Sequence, residues 1–416
     1  MLEAVSRNPM MGIYLSALKN QKADATTGRA PDENYAREVM QLFSIGLYEI
    51  NANGTQKTDA QGKPIETYDT NDVVGLARVF TGYSWACTGG ATTNTCFTGV
   101  ANTDPRRDVL PMQLYPALHS PEATSFLGTT LSASLTPQLR FERALDALAK
   151  HSNVAPFIGK QLIQRLVTSN PSAGYVARVS QAFNTGSYVY SGETPAVTFG
   201  DGQRGNLEAV AAAVLLDTEA MSPNRTDKLD EPVLRFTRWA RAFGAQPDGV
   251  ADEVVRLTDI AGREELGQSP LQSSSVFNFY RPGYTPPNTG IAGLGKVAPE
   301  FQITDEVSVA GYANFMQQAV GPGGPLRDLD ANGKALRFAP HYDAELALAT
   351  TPQALVDRVD LYLTGQRMTI PTKNKIVAAV TSIDLPPNPQ PLAVAKLNRV
   401  RLAVYLGTLS TEFLIH

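Results

Sequence analysis

Apolar positions recur at helical spacing through most of this chain, and polar loops separate the periodic stretches. The clearest case is ENYAREVMQLFSIGL, Glu33 to Leu47. At about 100° per residue, Tyr35, Val39, Leu42 and Phe43 share one arc. Glu33, Asn34, Arg37, Glu38 and Gln41 fall opposite. Asp32 is placed to cap the start and Gly46 to stop the helix. A shorter helix is expected over Pro9 to Lys19, behind an Asn8 cap. Thr70 or Asn71 opens another, with Val73, Leu76, Ala77 and Phe80 inward.

Further helices are expected over Gln138 to Lys150, Val154 to Thr168, Ser172 to Phe183, Asn206 to Leu216 and Pro232 to Phe243. The last has Val233, Phe236, Ala240 and Phe243 inward, and an acidic entry (Asp227, Asp230, Glu231) suited to the positive end of its dipole. Four more lie over Thr304 to Ala319, Thr351 to Leu363, Thr372 to Ile383 and Leu392 to Leu409. Between them, Asn53-Gly54 and Gln61-Gly62 punctuate β-prone runs and predict one or two small hairpins near residues 46–70. The segment SYVYSGETPAVTFGDGQRG reads as a β-ribbon. Residues 86–135 show no sustained period. Residues 267–303 form a long irregular stretch whose aromatics (Phe277, Phe279, Tyr280, Tyr284) mark it as packed. The fold class is therefore mainly α: a multi-helix globular protein with long loops and a small hairpin. One large domain over 1–416 is expected, with a sub-division at 1–135 and 136–416 as the variant.

Composition narrows the function classes. With 43% apolar and 18% charged residues, the 416-residue chain reads as globular and not disordered. A net charge of -4 argues against general nucleic-acid binding, which wants a basic face. No apolar run reaches the length of a membrane span. Only two cysteines occur, Cys87 and Cys96, flanking TGGATTNT. Gly/Thr-rich surroundings make burial of either unexpected, so a disulfide closing the loop is the preferred reading. It points to an oxidising compartment, periplasmic or extracellular. Zinc would need further ligands that are missing nearby.

Each candidate site has a competing structural explanation. Glu33 and Arg37 are i,i+4 neighbours, as are Asn34 and Glu38, so Glu33, Arg37 and Glu38 suit acid/base chemistry, a sugar-binding face, or a structural ion pair. The ion pair is preferred. His119, three residues before Glu122, has the chemistry of a proton shuttle or metal ligand; His151 reads as a capping or core histidine. Asp328, Asp330 and Asn332 before Gly333 resemble the first half of a calcium loop, making calcium a candidate cofactor. The twelfth position is Ala339, where a carboxylate is required, and Asp343 or Glu345 substitutes only if the chain folds back. NANGTQKTD is explained by a turn. Arg235, Arg238 and Arg241 form a stripe opposite the apolar face of their helix, read as a solvated face. No nucleophile elbow, P-loop or dinucleotide fingerprint occurs.

ENYAREVMQLFSIGL, ARVFTGYSW, HSNVAPFIGKQLIQRLVTSNP, KLDEPVLRFTRWARAFGA and QSPLQSSSVFNFYRPGY together resemble signatures of a large bacterial family, domain of unknown function 1800. The resemblance runs from about Asn8 to the final TEFLIH. It implies an exported protein, a chain lacking the N-terminal part of the family domain, and a partner from the sulfatase-like domain-of-unknown-function 1501 family. It implies no catalytic residues. The expectation is a non-catalytic binding or assembly protein of the envelope or exterior, with a glycan included among its candidate partners. The alternatives are a polysaccharide- or peptidoglycan-acting hydrolase or lyase using carboxylates, and a calcium-stabilised scaffold.

Overall fold

The computed structural model describes residues 1–100, 104, 106–223, 228–247, 260–321, 328–329, 335–336 and 338–416. It is mainly helical, with two-stranded antiparallel sheets as its β-structure among those residues. The chain divides into two compact units, Met1–Arg225 and Thr226–His416.

In the first unit the longer helices are α1 (Pro9–Tyr14), α2 (Asn34–Gln41), α3 (Thr70–Val79), α4 (Pro137–Lys150), α5 (Val154–Leu166), α6 (Ala173–Thr185) and α7 (Leu207–Leu215). Their starts follow local chemistry. Asn8, Thr136, Ser172 and Asn206 each accept hydrogen bonds from first-turn amides. For α3 the cap is Asp69, one residue ahead of the expected Thr70. Asp69 and Asp72 close a reciprocal capping box, which a hydroxyl at Thr70 would not match.

α1 and α2 are shorter than their periodicity suggests. α1 stops at Tyr14, and Ser16 and Lys19 beyond it adopt positive φ of 60° and 68°. α2 buries Tyr35, Ala36, Val39 and Met40, then breaks at Leu42, so the expected inward Leu42 and Phe43 are only half-buried. Gly46 completes the break at φ 75°, where a Cβ would come within 2.6 Å of the Phe157 ring. The core beneath α2 is an aromatic chain. Tyr35 meets Phe80 edge-on at 4.9 Å, Phe80 meets Phe141 at 5.9 Å, and Phe141 meets Tyr83 at 5.0 Å.

The region 46–70 forms nested turns joined by single bridges, Tyr48 to Glu66, Ile50 to Gln56 and Thr58 to Pro64. Gly54 and Gly62 take the positive φ those turns need. The expected ribbon after α6 is present, pairing Tyr188–Tyr190 with Val197–Phe199. The expected disulfide also is present, with Cα atoms 5.8 Å apart. Cys96 is not exposed as its sequence context suggested. It is buried with Phe97 and Tyr115 in a small satellite core, because a short helix (Asn94–Thr98) capped by Thr93 turns it inward.

The second unit holds α8 (Pro232–Ala242), α9 (Glu306–Val320), α10 (Pro352–Thr364), α11 (Ile370–Thr381) and α12 (Pro389–Thr408). Phe236, Trp239, Phe243, Phe315, Val359, Val404 and Phe413 are among its core residues. In the long segment 267–303, Tyr280 is buried while Phe277 stays exposed, so only part of that aromatic set packs.

No helix among the described residues is long and apolar enough to cross a membrane.

Candidate functional site

A cleft of about 210 Å³ opens in the first unit beside the polar face of α2. It is lined by Arg37, Gln41, Leu47, Tyr48, Glu66, Tyr68, Asp69 and Thr70. Three short elements supply these residues. α2 contributes Arg37 and Gln41. The chain leaving it at Gly46 contributes Leu47 and Tyr48. The return segment, held by the Tyr48–Glu66 bridge and by Thr67 donating from its amide to Leu47 O at 3.0 Å, brings Glu66 to Thr70 alongside.

Asn153 fixes the Tyr48 wall. It is fully buried, donates Nδ2 to Ile45 O at 2.9 Å and Tyr48 O at 2.8 Å, and accepts from Ile50 N at 3.1 Å. An amide is the side chain that can do both. Its only sequence signal is its place in HSNVAPF, two residues after His151.

The charges around the cleft are partly committed. Arg37 Nη2 lies 3.2 Å from Glu33 Oε2, with both side chains about two-fifths exposed (43% and 41%). That contact has the i,i+4 geometry expected, and it leaves Glu33 outside the cleft lining. Glu38 is buried, and its Oε2 has no hydrogen-bond partner among the described residues. Burial raises its pKa, against the opposing pull of Arg37. Tyr68 donates to Gln41 Oε1 at 3.2 Å. Burial raises the Tyr68 pKa as well, with Arg37 opposing and Glu38 and Glu66 adding to it. The arrangement offers two aromatic rings, a guanidinium, carboxylates, an amide and a hydroxyl to one small polar ligand.

His119 takes no part in this cleft. It is buried, and its Nδ1 sits 2.9 Å from Thr81 O, so Nδ1 carries the proton and donates. Burial pushes its pKa down and holds the ring neutral. Next to it, the fully buried Arg140 donates to Ser120 O and Glu122 O, each at 2.6 Å. His119 and Arg140 thus pin the 119–122 loop. A proton shuttle would need a solvent-facing nitrogen, which this ring lacks.

The calcium candidate falls mostly outside the described residues. Asp330 and Asn332 are not described, and of Asp328 only the backbone is, paired in a two-residue strand with Leu336. Among the described residues no group of three or more His, Cys, Asp and Glu side chains is arranged to hold a metal ion.

The arginine stripe of α8 departs from its expected solvated face. Arg241 is exposed, but Arg238 is three-quarters buried and Arg235 is 5% exposed. Arg235 lies over the Tyr312 ring at 5.0 Å and Arg238 over Phe413 at 4.6 Å. Arg238 and His416 both pair with the buried Asp230. Lys228, fully buried, pairs with the buried Glu300. The residues of KLDEP meet the chain end in a short antiparallel pairing, with Lys228 N donating to His416 O at 2.9 Å and Asp230 N to Leu414 O at 2.9 Å. Lys228 with Glu300, and Arg238 and His416 with Asp230, answer one another's charge and form a buried clamp. Arg235 has the Tyr312 ring against it, while its Nε and Nη2 find no hydrogen-bond partner among the described residues.

The chain is thus a mainly helical protein with a disulfide-closed loop and a polar cleft beside one helix. The family model described as protein of unknown function (DUF1800) matches residues 1–415, and the chain belongs to that family. Because the match begins at the first residue, it gives no support to the expectation that an N-terminal part of the family domain is lacking. No curated protein and no solved structure matches the chain.

Proposed function

We propose that the protein is a non-catalytic binding protein of the bacterial envelope or exterior, and that the cleft beside α2 takes a saccharide. The observation that carries this reading is the lining itself. Tyr48 and Tyr68 bring aromatic rings, against which the C–H face of a sugar packs, beside the planar polar groups of Arg37, Gln41 and Glu66. Such groups each hold two hydroxyls at once. The disulfide between Cys87 and Cys96 supports a location outside the reducing cytoplasm.

Titration calorimetry with neutral and amino-sugar oligosaccharides tests the assignment. Binding that is lost on Tyr48→Ala, an exposed position whose change spares the core, is the expected result. Absence of binding to every saccharide class, with the protein folded, defeats it.

A second reading rests on Glu38. Burial raises the pKa of the Glu38 carboxyl, the direction a general acid needs. Glu38 sits on α2 next to the lining residue Arg37, and Glu66 on the cleft wall is the second carboxylate such chemistry uses. This reading makes the protein a polysaccharide- or peptidoglycan-acting hydrolase. It predicts soluble fragments released by the native chain and none by Glu38→Gln; equal release by both removes it.

A further inference from the structure

The second unit contains a cleft of about 270 Å³, lined by Ala242, Phe243, Gly244, His341, Asp343, Ala344, Glu345 and Arg358. Its walls come from the end of α8, from the chain after the Phe338–Ala339 strand, and from α10. His341 N donates to Phe243 O at 2.8 Å, and the strand pairs with Gln246–Pro247. Those bonds seat residues 341–345 against the turn that follows α8. Gly244 sits on that turn at φ 55°, with the His341 ring 3.7 Å from where a Cβ would be. The floor is aromatic: Phe243 is buried edge-on against Tyr342 at 5.2 Å.

The polar groups of the lining are unequally used. Glu345, 3% exposed, accepts from Arg358 Nε at 2.5 Å. The Arg358 guanidinium also lies over the Tyr362 ring at 4.5 Å, which fixes its plane. A guanidinium has five N–H donors, and Glu345 is the only carboxylate that pairs with it among the described residues. Asp343 and His341 make no side-chain hydrogen bond or ion pair among the described residues. One wall therefore presents a fixed cation with donors in excess of its partner, and another presents an uncommitted carboxylate. The volume lies below the range typical of drug-sized ligands, so the occupant is smaller than that.

We propose that this cleft binds a small zwitterion: an amino acid or the end of a short peptide. Arg358 takes its carboxylate, Asp343 takes its ammonium group, and Phe243 supports the carbon between them. An oxyanion alone would leave Asp343 facing like charge, and an amine alone would leave the Arg358 donors unmet. A ligand carrying both charges answers both walls. The inference is independent of the saccharide reading, because it uses none of the residues of that cleft.

Calorimetry on the full chain tests it with four probes: L-alanine, L-alanyl-L-alanine, N-acetyl-L-alanine without the ammonium group, and ethylamine without the carboxylate. At least one of the first two is expected to bind with an affinity roughly tenfold above both blocked probes, the scale of losing one charged hydrogen bond. Asp343→Asn changes an exposed side chain and spares the Glu345–Arg358 pair, so the variant folds. In it the advantage over N-acetyl-L-alanine should vanish while the advantage over ethylamine survives. Arg358→Gln should abolish the advantage over ethylamine, with circular dichroism confirming its fold. The proposal is overturned if no zwitterion binds up to about 10 mM, if the blocked probes bind as well, or if Asp343→Asn leaves the preference unchanged.

Discussion

Helices α2 and α8 both set an apolar stripe against a face rich in charge, yet they end in opposite circumstances. α2 keeps Arg37 and Glu33 in solvent contact beside a cleft. α8 drives Arg235 into the interior and surrounds its entry with Lys228, Asp230 and Glu300, all nearly inaccessible. Helical spacing cannot separate these two outcomes. What separates them is what arrives from elsewhere in the chain. Opposite α2 lies the return segment 66–70, itself polar, with Glu66, Asp69 and Thr70 exposed. Opposite α8 lie Tyr312 on α9, Glu300 before it and Phe413 near the chain end, which bring aromatic faces and a counter-charge. The lesson is that a charged helical face is architecture where distant aromatics cover it, and a candidate site where they do not.

The sharpest way to break this comparison is at Lys228. Lys228→Met leaves Glu300 buried without its counter-ion, and unfolding by denaturant should show a loss of about 3–5 kcal/mol. The double variant Lys228→Met with Glu300→Leu should recover most of it, because an apolar pair of similar volume needs no desolvation. Recovery failing in the double variant would mean that the clamp does more than hold charge.

In the first unit the corresponding weak point is Asn153. Asn153→Ala leaves Ile45 O, Tyr48 O and Ile50 N without their partner, a loss of about 2–3 kcal/mol. It should also loosen Tyr48 and weaken binding in the cleft, whereas Lys228→Met should leave that binding intact in the folded fraction. Equal effects of both changes on ligand affinity would erase the distinction between clamp and site.

Much of this was legible beforehand. The cap at Asn8 is local chemistry, and the helices expected from Ser172 and Asn206 fall within about two residues of expectation, whereas the helix behind Asn8 stops at Tyr14, short of Lys19. The i,i+4 contact of Glu33 with Arg37 was readable for the same reason. The cleft was not, because most of its lining (Leu47, Tyr48, Glu66, Tyr68, Asp69 and Thr70) comes from the 46–70 segment, read as a hairpin with a helix cap at its end, and such a segment has no partner until the fold supplies one. Arg235 was misread because its cover, Tyr312 and Glu300, lies more than sixty residues away in sequence. A histidine in a loop reads as accessible from sequence, yet His119 is buried. Its burial depends on Arg140 and Thr81, which nothing in YPALHSPEAT announces.

Acid titration separates the two units by sign. Glu38 has a pKa raised by burial above its ordinary 4.5. In the folded state it resists ionisation, so its cost is absent below pH 4.5 and sets in as pH rises through the raised value. Glu38→Gln should therefore flatten a fall in stability on the alkaline side. Asp360 behaves oppositely. Burial alone would raise its pKa, but Lys373, Thr364 and the Met368 amide outweigh that and hold it below 3.8. Its stabilisation is present above pH 3.8 and is lost as pH falls through the depressed value. Asp360→Asn should remove that acid limb and leave the Glu38 limb in place. Melting temperature measured against pH for both variants checks the pair; limbs that move together would place the two carboxyls in one electrostatic network.

The smallest effect on stability is expected at Arg37, and that is where binding and architecture part most clearly. Its contact with Glu33 is solvent-exposed and within one helix, so Arg37→Ala should cost only about 0.3–0.5 kcal/mol. Tenfold or greater loss of saccharide affinity with so little loss of stability marks a residue whose charge serves the cleft. Arg37→Lys keeps the charge and gives up the planar fork, so it should restore stability without restoring affinity. If the lysine variant binds as well as the native chain, the guanidinium geometry is not what the ligand reads, and Arg37 belongs with Glu33 as surface architecture.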